Sequence, residues 1–200
     1  MRETASTALI EGNNSLGAVV GNFAMGVAIE KARHSGVGWV TVRGSNHFGI
    51  AGHYSAQALR QNMLGMAFTN GSPYVAPTRS ATSLFSTLPL SLASPGLEGD
   101  HMLLDMATSA AAVGKMELAR THGTQIPLGW ALDRDGKPTS EPEAALPSGG
   151  GCGLPLGGGE ETSGYKGYGL ALLVEIFCGI LSGSAWGPHI RSDTPPSSVI

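Results

Sequence analysis

The chain has 200 residues, enough for a medium-sized core, and 42% of them are hydrophobic. Only 14% are charged, against roughly 25% in a typical soluble domain, and glycine is abundant at 30 residues. The formal net charge of −3 and the lack of a basic run exclude a nucleic-acid footprint. So sparse a charge implies a large face meant for burial, such as a subunit interface.

Residues 1–15 are polar and carry no secretory core of apolar residues. From Leu16 to His34, apolar side chains recur at Leu16, Val19, Val20, Phe23, Val27 and Ala28. That spacing predicts an amphipathic helix, stopped by Gly36. Val37–Val42 follows as a β-branched strand, Ala51–Gln61 as a second helix and Leu64–Phe68 as a second strand. Helix and strand in alternation predict α/β layers with parallel pairing.

Residues 71–99 read as a long excursion rich in Pro, Ser and Thr, with one strand near Leu88–Leu92. Met102–Met106 is a further strand and Thr108–His122 a helix, with Thr108 or Ser109 as its N-cap. Trp130–Asp133 with the Asp135-Gly136 turn forms a small hairpin, and Pro138–Gly164 a long Gly/Pro-rich loop. Lys166–Leu181 is the most hydrophobic helix and is expected to cross the core, yet at this length and with Glu175 inside it cannot span a bilayer. Residues 184–200 lose all periodicity and are expected to form an irregular, disordered tail.

Chemistry concentrates where strands meet helices. Arg43-Gly44-Ser45-Asn46-His47-Phe48-Gly49 follows a predicted strand and precedes a helix, where α/β proteins place ligands. His47 is its acid/base candidate, because imidazole titrates near neutrality, although a histidine that merely caps the next helix fits the spacing equally well. Asp105-Met106-Ala107-Thr108-Ser109 is a second such junction, whose amides and hydroxyls could hold a phosphate or simply cap a helix. Lys166 opens its helix against the dipole, which points to an anionic partner. No metal site is expected: the histidines lack ligand spacing, and Cys152 and Cys178 form no CxxC pair. There is no GxGxxG fingerprint and no phosphate loop.

Five ordered blocks carry a resemblance: VRGSNHFGIAGHYSAQAL, MAFTNGSPYVAPT, LLDMATSAAAVGK, IPLGWALDRDGKPT and PLGGGEETSGYKGYGLALLVEIFCGILSG. Together they are similar to the malate/L-lactate dehydrogenase family, which also holds ureidoglycolate and sulfolactate dehydrogenases. The resemblance implies a layered, sulfolactate-dehydrogenase-like α/β fold that binds its nicotinamide cofactor without a Rossmann motif. It implies hydride transfer between NAD (NADP as the alternative) and a small 2-hydroxy acid, malate first, in a cytoplasmic homodimer with no membrane or nucleic-acid partner.

By matching position, His47 is the family's acid/base and Ser45 a substrate neighbour. Gly71, Asp105, Met106, Ala107, Lys166 and Gly167 fall in segments that contact the cofactor. The family's N-terminal carboxylate-binding segment and its closing C-terminal part have no counterpart here, and Leu88 stands where the family has an asparagine. Residues 1–183 are therefore expected to be an incomplete catalytic domain. The alternative function is a catalytically impaired fragment that acts only by binding other subunits.

Overall fold

The computed structural model describes residues 1–190 together with the backbone of Ser198–Val199. The chain divides into two compact units. The first comprises residues 1–70, 89–106 and 174–200; the second comprises residues 71–88 and 107–173.

The first unit is built on a seven-stranded sheet. Its strands are β1 (Arg2–Glu3), β2 (Thr7–Glu11), β3 (Trp39–Arg43), β4 (Gly65–Thr69), β5 (Leu90–Pro95), β6 (His101–Met106) and β9 (Ser198–Val199), in the order β1-β2-β3-β9-β4-β5-β6. Parallel pairing, expected from the helix–strand alternation, holds for β2 with β3 only. β4, β5, β6 and β9 pair antiparallel. The expectation fails because β3 and β4 are separated by β9, and β4 to β6 follow as a meander that needs no helical crossover.

Helix α1 (Gly17–Ser35) and helix α2 (Ala51–Ser55), continued as a 3-10 turn to Gln61, lie where the sequence puts helices. Gly36 ends α1 at φ 84°, a left-handed stop that suits glycine. Val20, Ala24, Met25 and Ala28 of α1 bury against Val40, Val42 and Ala67 of the sheet. The other face of α1 leaves Leu16, Val19 and Phe23 more than half exposed.

The second unit holds α3 (Val113–His122), the short helix α4 (Pro142–Ala145) and the two-stranded pair β7 (Ala131–Leu132) with β8 (Cys152–Gly153). Its core contains Ala76, Leu132, Cys152 and Leu154. The expected hairpin forms: Asp133 N–H donates to Lys137 O at 2.8 Å, and Leu132 bridges Pro138. The 138–164 loop is more ordered than its composition suggests, since it contains α4 and β8. Tyr74 anchors it: its hydroxyl reaches Met116 Sδ and donates to Ala145 O at 3.4 Å.

The hydrophobic helix spans α5 (Gly164–Glu175) and then widens into a π turn at Ile176–Ile180. Ala171, Val174, Glu175 and Cys178 are buried, while Leu173, Ile176, Ile180 and Leu181 stay 40–55% exposed. The helix therefore buries one side and leaves the other open. Residues 184–190 do not hang free as expected: Gly187–His189 forms a 3-10 turn and Ile190 is buried. Their anchor is Glu175, which accepts the Gly187 N–H. The rest of the expected tail, 191–197 and 200, lies outside the described residues. Among the described residues no helix is long and apolar enough to cross a membrane.

Candidate functional site

In the first unit, β3 runs out into the loop 43–50. Its course requires two left-handed glycines, Gly44 at φ 64° and Gly49 at φ 92°. Asn46 clamps the loop. Its amide nitrogen lies 2.8 Å from Asn14 Oδ1 and within 3.0 Å of the carbonyls of Asn14 and Ser15. The loop then lies so close to the start of α1 that a Cβ on Gly17 would sit 2.1 Å from Asn46 O. Further along, Phe48 stacks on Tyr54 with ring centroids 4.6 Å apart, and the Tyr54 hydroxyl donates to Phe48 O. Burial of that phenol raises its pKa, which keeps it a donor.

Between these two clamps His47 is exposed, while Ser45 is buried. His47 Nδ1 accepts the Gly49 N–H at 3.2 Å. An accepting Nδ1 places the proton of the neutral ring on Nε2. Asp105, at the end of β6, reaches the same region: its Oδ2 accepts the Gly52 N–H at 2.8 Å, at the beginning of α2. The candidate cofactor carboxylate thus holds the start of the helix that follows the His47 loop. A buried hydroxyl relay supports the junction, with Ser55 Oγ 2.6 Å from Ser91 Oγ, which donates to Leu104 O at 2.8 Å. Met106 is half-buried and pairs with Leu90.

In the second unit, the other candidate positions fall into a single stack of backbone. A Cβ on Gly71 would lie 3.0 Å from Ser86 Oγ. One residue past Ala107, Thr108 donates its N–H to Thr87 O at 2.9 Å, and its hydroxyl donates to Leu88 O at 3.0 Å. Leu156 N–H in turn donates to Thr108 O at 2.9 Å, and Gly167 packs so tightly that a Cβ would lie 2.2 Å from Leu156 O. Gly71, Ala107 and Gly167 are thereby tied to one cluster.

Lys166 stands beside it in the first turn of α5, exposed, with no acidic partner within ion-pair distance among the described residues. A cleft of about 290 Å³ opens in the same unit, lined by Trp130, Leu156, Gly157, Gly158 and Thr162 among others.

The N-cap assignment for Thr108 and Ser109 is corrected. Helix α3 starts at Val113 with Ala112 as its N-cap. The two hydroxyls are spent on Leu88 O and Ala111 O, so they neither cap the helix nor point free toward a phosphate.

Three contributors went unnoticed in the sequence. Asn46 and Tyr54 sit inside the block that supplied His47 and Ser45 as candidates. Glu175 is the third: buried at 2% exposure, its Oε1 accepts from Asn70 Nδ2 at 2.8 Å and from Gly187 N–H at 3.3 Å, while Oε2 has no hydrogen-bond partner among the described residues. A lone Glu in an apolar helix was the available signal. Burial pushes its carboxyl above the ordinary value of 4.5, against the pull of those two donors.

A loop-borne histidine at a strand end, in a chain lacking the Rossmann fingerprint, defines a non-Rossmann α/β protein with a candidate acid/base residue. The chain belongs to the malate/L-lactate dehydrogenase family, whose profile matches residues 1–199. A malate dehydrogenase of Pyrococcus abyssi is 47% identical over all of this chain and 55% of its own length. The crystal structure of malate dehydrogenase from Entamoeba histolytica superposes with a TM-score of 0.92 at 36% identity, covering all of this chain and 58% of that one. Two further relatives have names that state a cofactor. They are the ureidoglycolate dehydrogenase (NAD(+)) of Escherichia coli, at 33% identity over 93% of this chain and 50% of its own, and the (2R)-3-sulfolactate dehydrogenase (NADP(+)) of Chromohalobacter salexigens, at 38% over 84% and 48%. The chain spans about half the length of the curated relatives it matches.

Proposed function

We propose that this chain forms part of a nicotinamide-dependent 2-hydroxy-acid dehydrogenase, with malate as the substrate, NAD as the cofactor and a cytoplasmic homodimer as the working form. The observation that carries this reading is His47, exposed on a loop clamped at both ends that leads into the helix whose Gly52 N–H donates to Asp105. Malate is favoured because the relative at 47% identity bears that name. NADP is the alternative cofactor, since the names of relatives include both.

The residues fit a nicotinamide dinucleotide. Lys166 is an exposed cation without an acidic partner among the described residues, suited to an anionic group. Gly71 and Gly167 keep backbone bare where a side chain would intrude. When bound, the dinucleotide supplies the hydride acceptor for C2 of the hydroxy acid. The chain's own part is the proton. For His47 to take it at Nε2, that nitrogen must offer its lone pair, so the ring proton must move to Nδ1. Nδ1–H cannot face the Gly49 N–H, so the 3.2 Å contact has to open before proton transfer. Ser45 would orient substrate from the same loop, and Asp105 holds α2 in place through Gly52.

The test is an absorbance assay of oxaloacetate reduction with NADH, alongside NADH fluorescence titration. His47→Ala is expected to lower turnover by about 10²–10⁴-fold with NADH affinity nearly unchanged. Near-normal turnover in that variant would remove His47 from the role. Lys166→Met is expected to weaken NADH binding and flatten its salt dependence.

A second reading has its own observation. Leu16, Val19 and Phe23 on α1, and Leu173, Ile176, Ile180 and Leu181 beyond it in sequence, are exposed apolar side chains. Such patches promote association. If light scattering shows defined oligomers while NADH binds without turnover, the chain acts as a subunit-interaction protein.

A further inference from the structure

The His47 ring and the Tyr54 hydroxyl grip the two ends of a single peptide unit. His47 Nδ1 accepts the Gly49 N–H at 3.2 Å. The carbonyl of that same peptide, Phe48 O, accepts the Tyr54 hydroxyl. The Phe48–Gly49 peptide is trans. In a planar trans peptide the C=O and N–H bonds point to opposite sides of the C–N bond, and neither turns without the other. A group that holds the carbonyl therefore aims the N–H.

Tyr54 is built in for that task. Its side chain is 1% exposed, so bulk water does not compete with Phe48 O for the hydroxyl, and a buried phenol without an acceptor is costly. Phe48 stacks on its ring with an interplanar angle of 11°. Helix α1 meets the edge of the same ring with Gly21, where a Cβ would lie 2.6 Å from Cε1 and 2.9 Å from Cζ. One turn earlier, Gly17 meets the histidine's own backbone, where a Cβ would lie 2.5 Å from His47 O. Residues four apart share a helix face, so one face of α1 seats both the phenol and the histidine backbone. The spacing between hydroxyl and imidazole is thus set by a helix and not by the loop alone.

An N–H aimed at Nδ1 can be met only by a lone pair. A proton on Nδ1 would set two donors against each other, so the neutral ring carries its proton on Nε2.

We propose that Tyr54 is a positioning residue whose hydroxyl, acting through the Phe48–Gly49 peptide, selects the tautomer of neutral His47. The tautomer follows from the geometry. Its meaning for turnover rests on the acid/base reading of His47. A ring with its proton on Nε2 cannot take the hydroxyl proton of a 2-hydroxy acid there. Turning the 48–49 peptide away from Tyr54 is then the step that readies the site.

The experiment is nitrogen NMR of the histidine rings in the 200-residue chain at about pH 9, where imidazole is neutral. The His47 signals are those lost in His47→Gln. The parent is expected to show the Nε2–H form alone. Tyr54→Phe keeps the ring and its stack and removes only the hydroxyl. It is expected to bring in the Nδ1–H form in about a tenth or more of the molecules and to speed Gly49 amide exchange about tenfold. Ala28→Gly, which weakens α1 where it packs on the sheet, should lower the melting midpoint and leave the parent's tautomer.

A parent ring divided between both forms would overturn the proposal, with no variant needed. So would a Tyr54→Phe chain with the parent's tautomer and exchange rate. An equal tautomer shift in Ala28→Gly would overturn it too, by making the shift a consequence of lost stability. None of these readouts uses cofactor or turnover. Normal turnover in His47→Ala would therefore remove the acid/base reading and leave the tautomer result standing.

Discussion

Loop 43–50 and the segment 155–167 both present candidate site residues, but they are held in place by opposite means. The first is fixed by side chains that reach out: Asn46 to the 14–15 backbone, Tyr54 to Phe48 O, Asp105 to Gly52 N–H. The second is fixed by the absence of side chains. Gly157, Gly164 and Gly167 each bring backbone within reach of other backbone, so that a Cβ on Gly164 would lie 1.9 Å from Gly158 O. Side-chain clamps can be loosened a bond at a time, whereas close backbone contact fails in one step. A histidine that must open its Gly49 contact suits the first design, and a platform for a large ligand suits the second.

Substitutions can break or sharpen this contrast. The largest effect is expected from Gly167→Ala, whose methyl would meet the Leu156 backbone at 2.2 Å and could not be avoided by a rotamer change. Overpacking of this kind costs about 3 kcal/mol, read in urea unfolding, and NADH binding should weaken with it. A mild loss would mean that the stack of 108, 156 and 167 yields more easily than its spacing implies.

Asn46→Ala should cost less, about 1–2 kcal/mol, because its two amide protons are shared among three acceptors that can turn to water. Its signature is local: faster amide exchange through 44–49 with the 155–167 segment unchanged. Equal disturbance of both segments would erase the distinction drawn between them.

Glu175→Gln asks whether a side-chain clamp must be charged. The folded carboxyl titrates above 4.5 because burial penalises its ionised form. A raised folded pKa means that the folded state holds the proton more tightly than the unfolded one. The stability from this group is thus complete below about pH 4.5 and is lost as pH rises through the folded value. Glutamine keeps an acceptor for Asn70 and Gly187 without the charge. The variant should melt no lower than the parent at pH 8, with a flatter dependence of midpoint on pH. A large drop would show that the ionised form is needed.

The smallest effect is expected from Arg79→Ala. Its contact with Glu160 lowers the carboxylate pKa and raises that of the guanidinium, yet both side chains are largely exposed. Solvent screens such a pair, so the midpoint should not move measurably.

Helices and the strands next to them were legible in the sequence because burial imposes a period on them. The α1 pattern and the Gly36 stop match the observed Gly17–Ser35 closely. β1 and β2 were not legible: β1 is only Arg2–Glu3, both exposed, and β2 is five residues long with only Ala8 and Ile10 buried. Pairing direction was not legible either, because β9 enters the sheet from the far end of the chain.

The exposed place of His47 on a strand-to-helix loop was legible from residue type and position. Its clamp was not, since Asn46 reaches Asn14, 32 residues away, and no local spacing records that contact. The Thr108 error has a similar cause. A Thr before an alanine run resembles an N-cap, and only the fold shows that Leu88 O claims its hydroxyl.

One edge of the first unit also bears on how the chain behaves in a tube. β6 is the last strand of its sheet, and Met102, Leu103 and Leu104 along it are each more than a third exposed. An edge of unpaired amides and carbonyls dressed in apolar residues is a template on which further strands can add. His101 and Asp105 are the only ionisable side chains on it, one near each end. This six-residue strip therefore joins the exposed apolar side chains of α1 and of 173–181 as a place where copies associate, a tendency that a net charge of −3 does little to oppose. A single lysine at Leu103 would act on that strip more directly than any change of buffer.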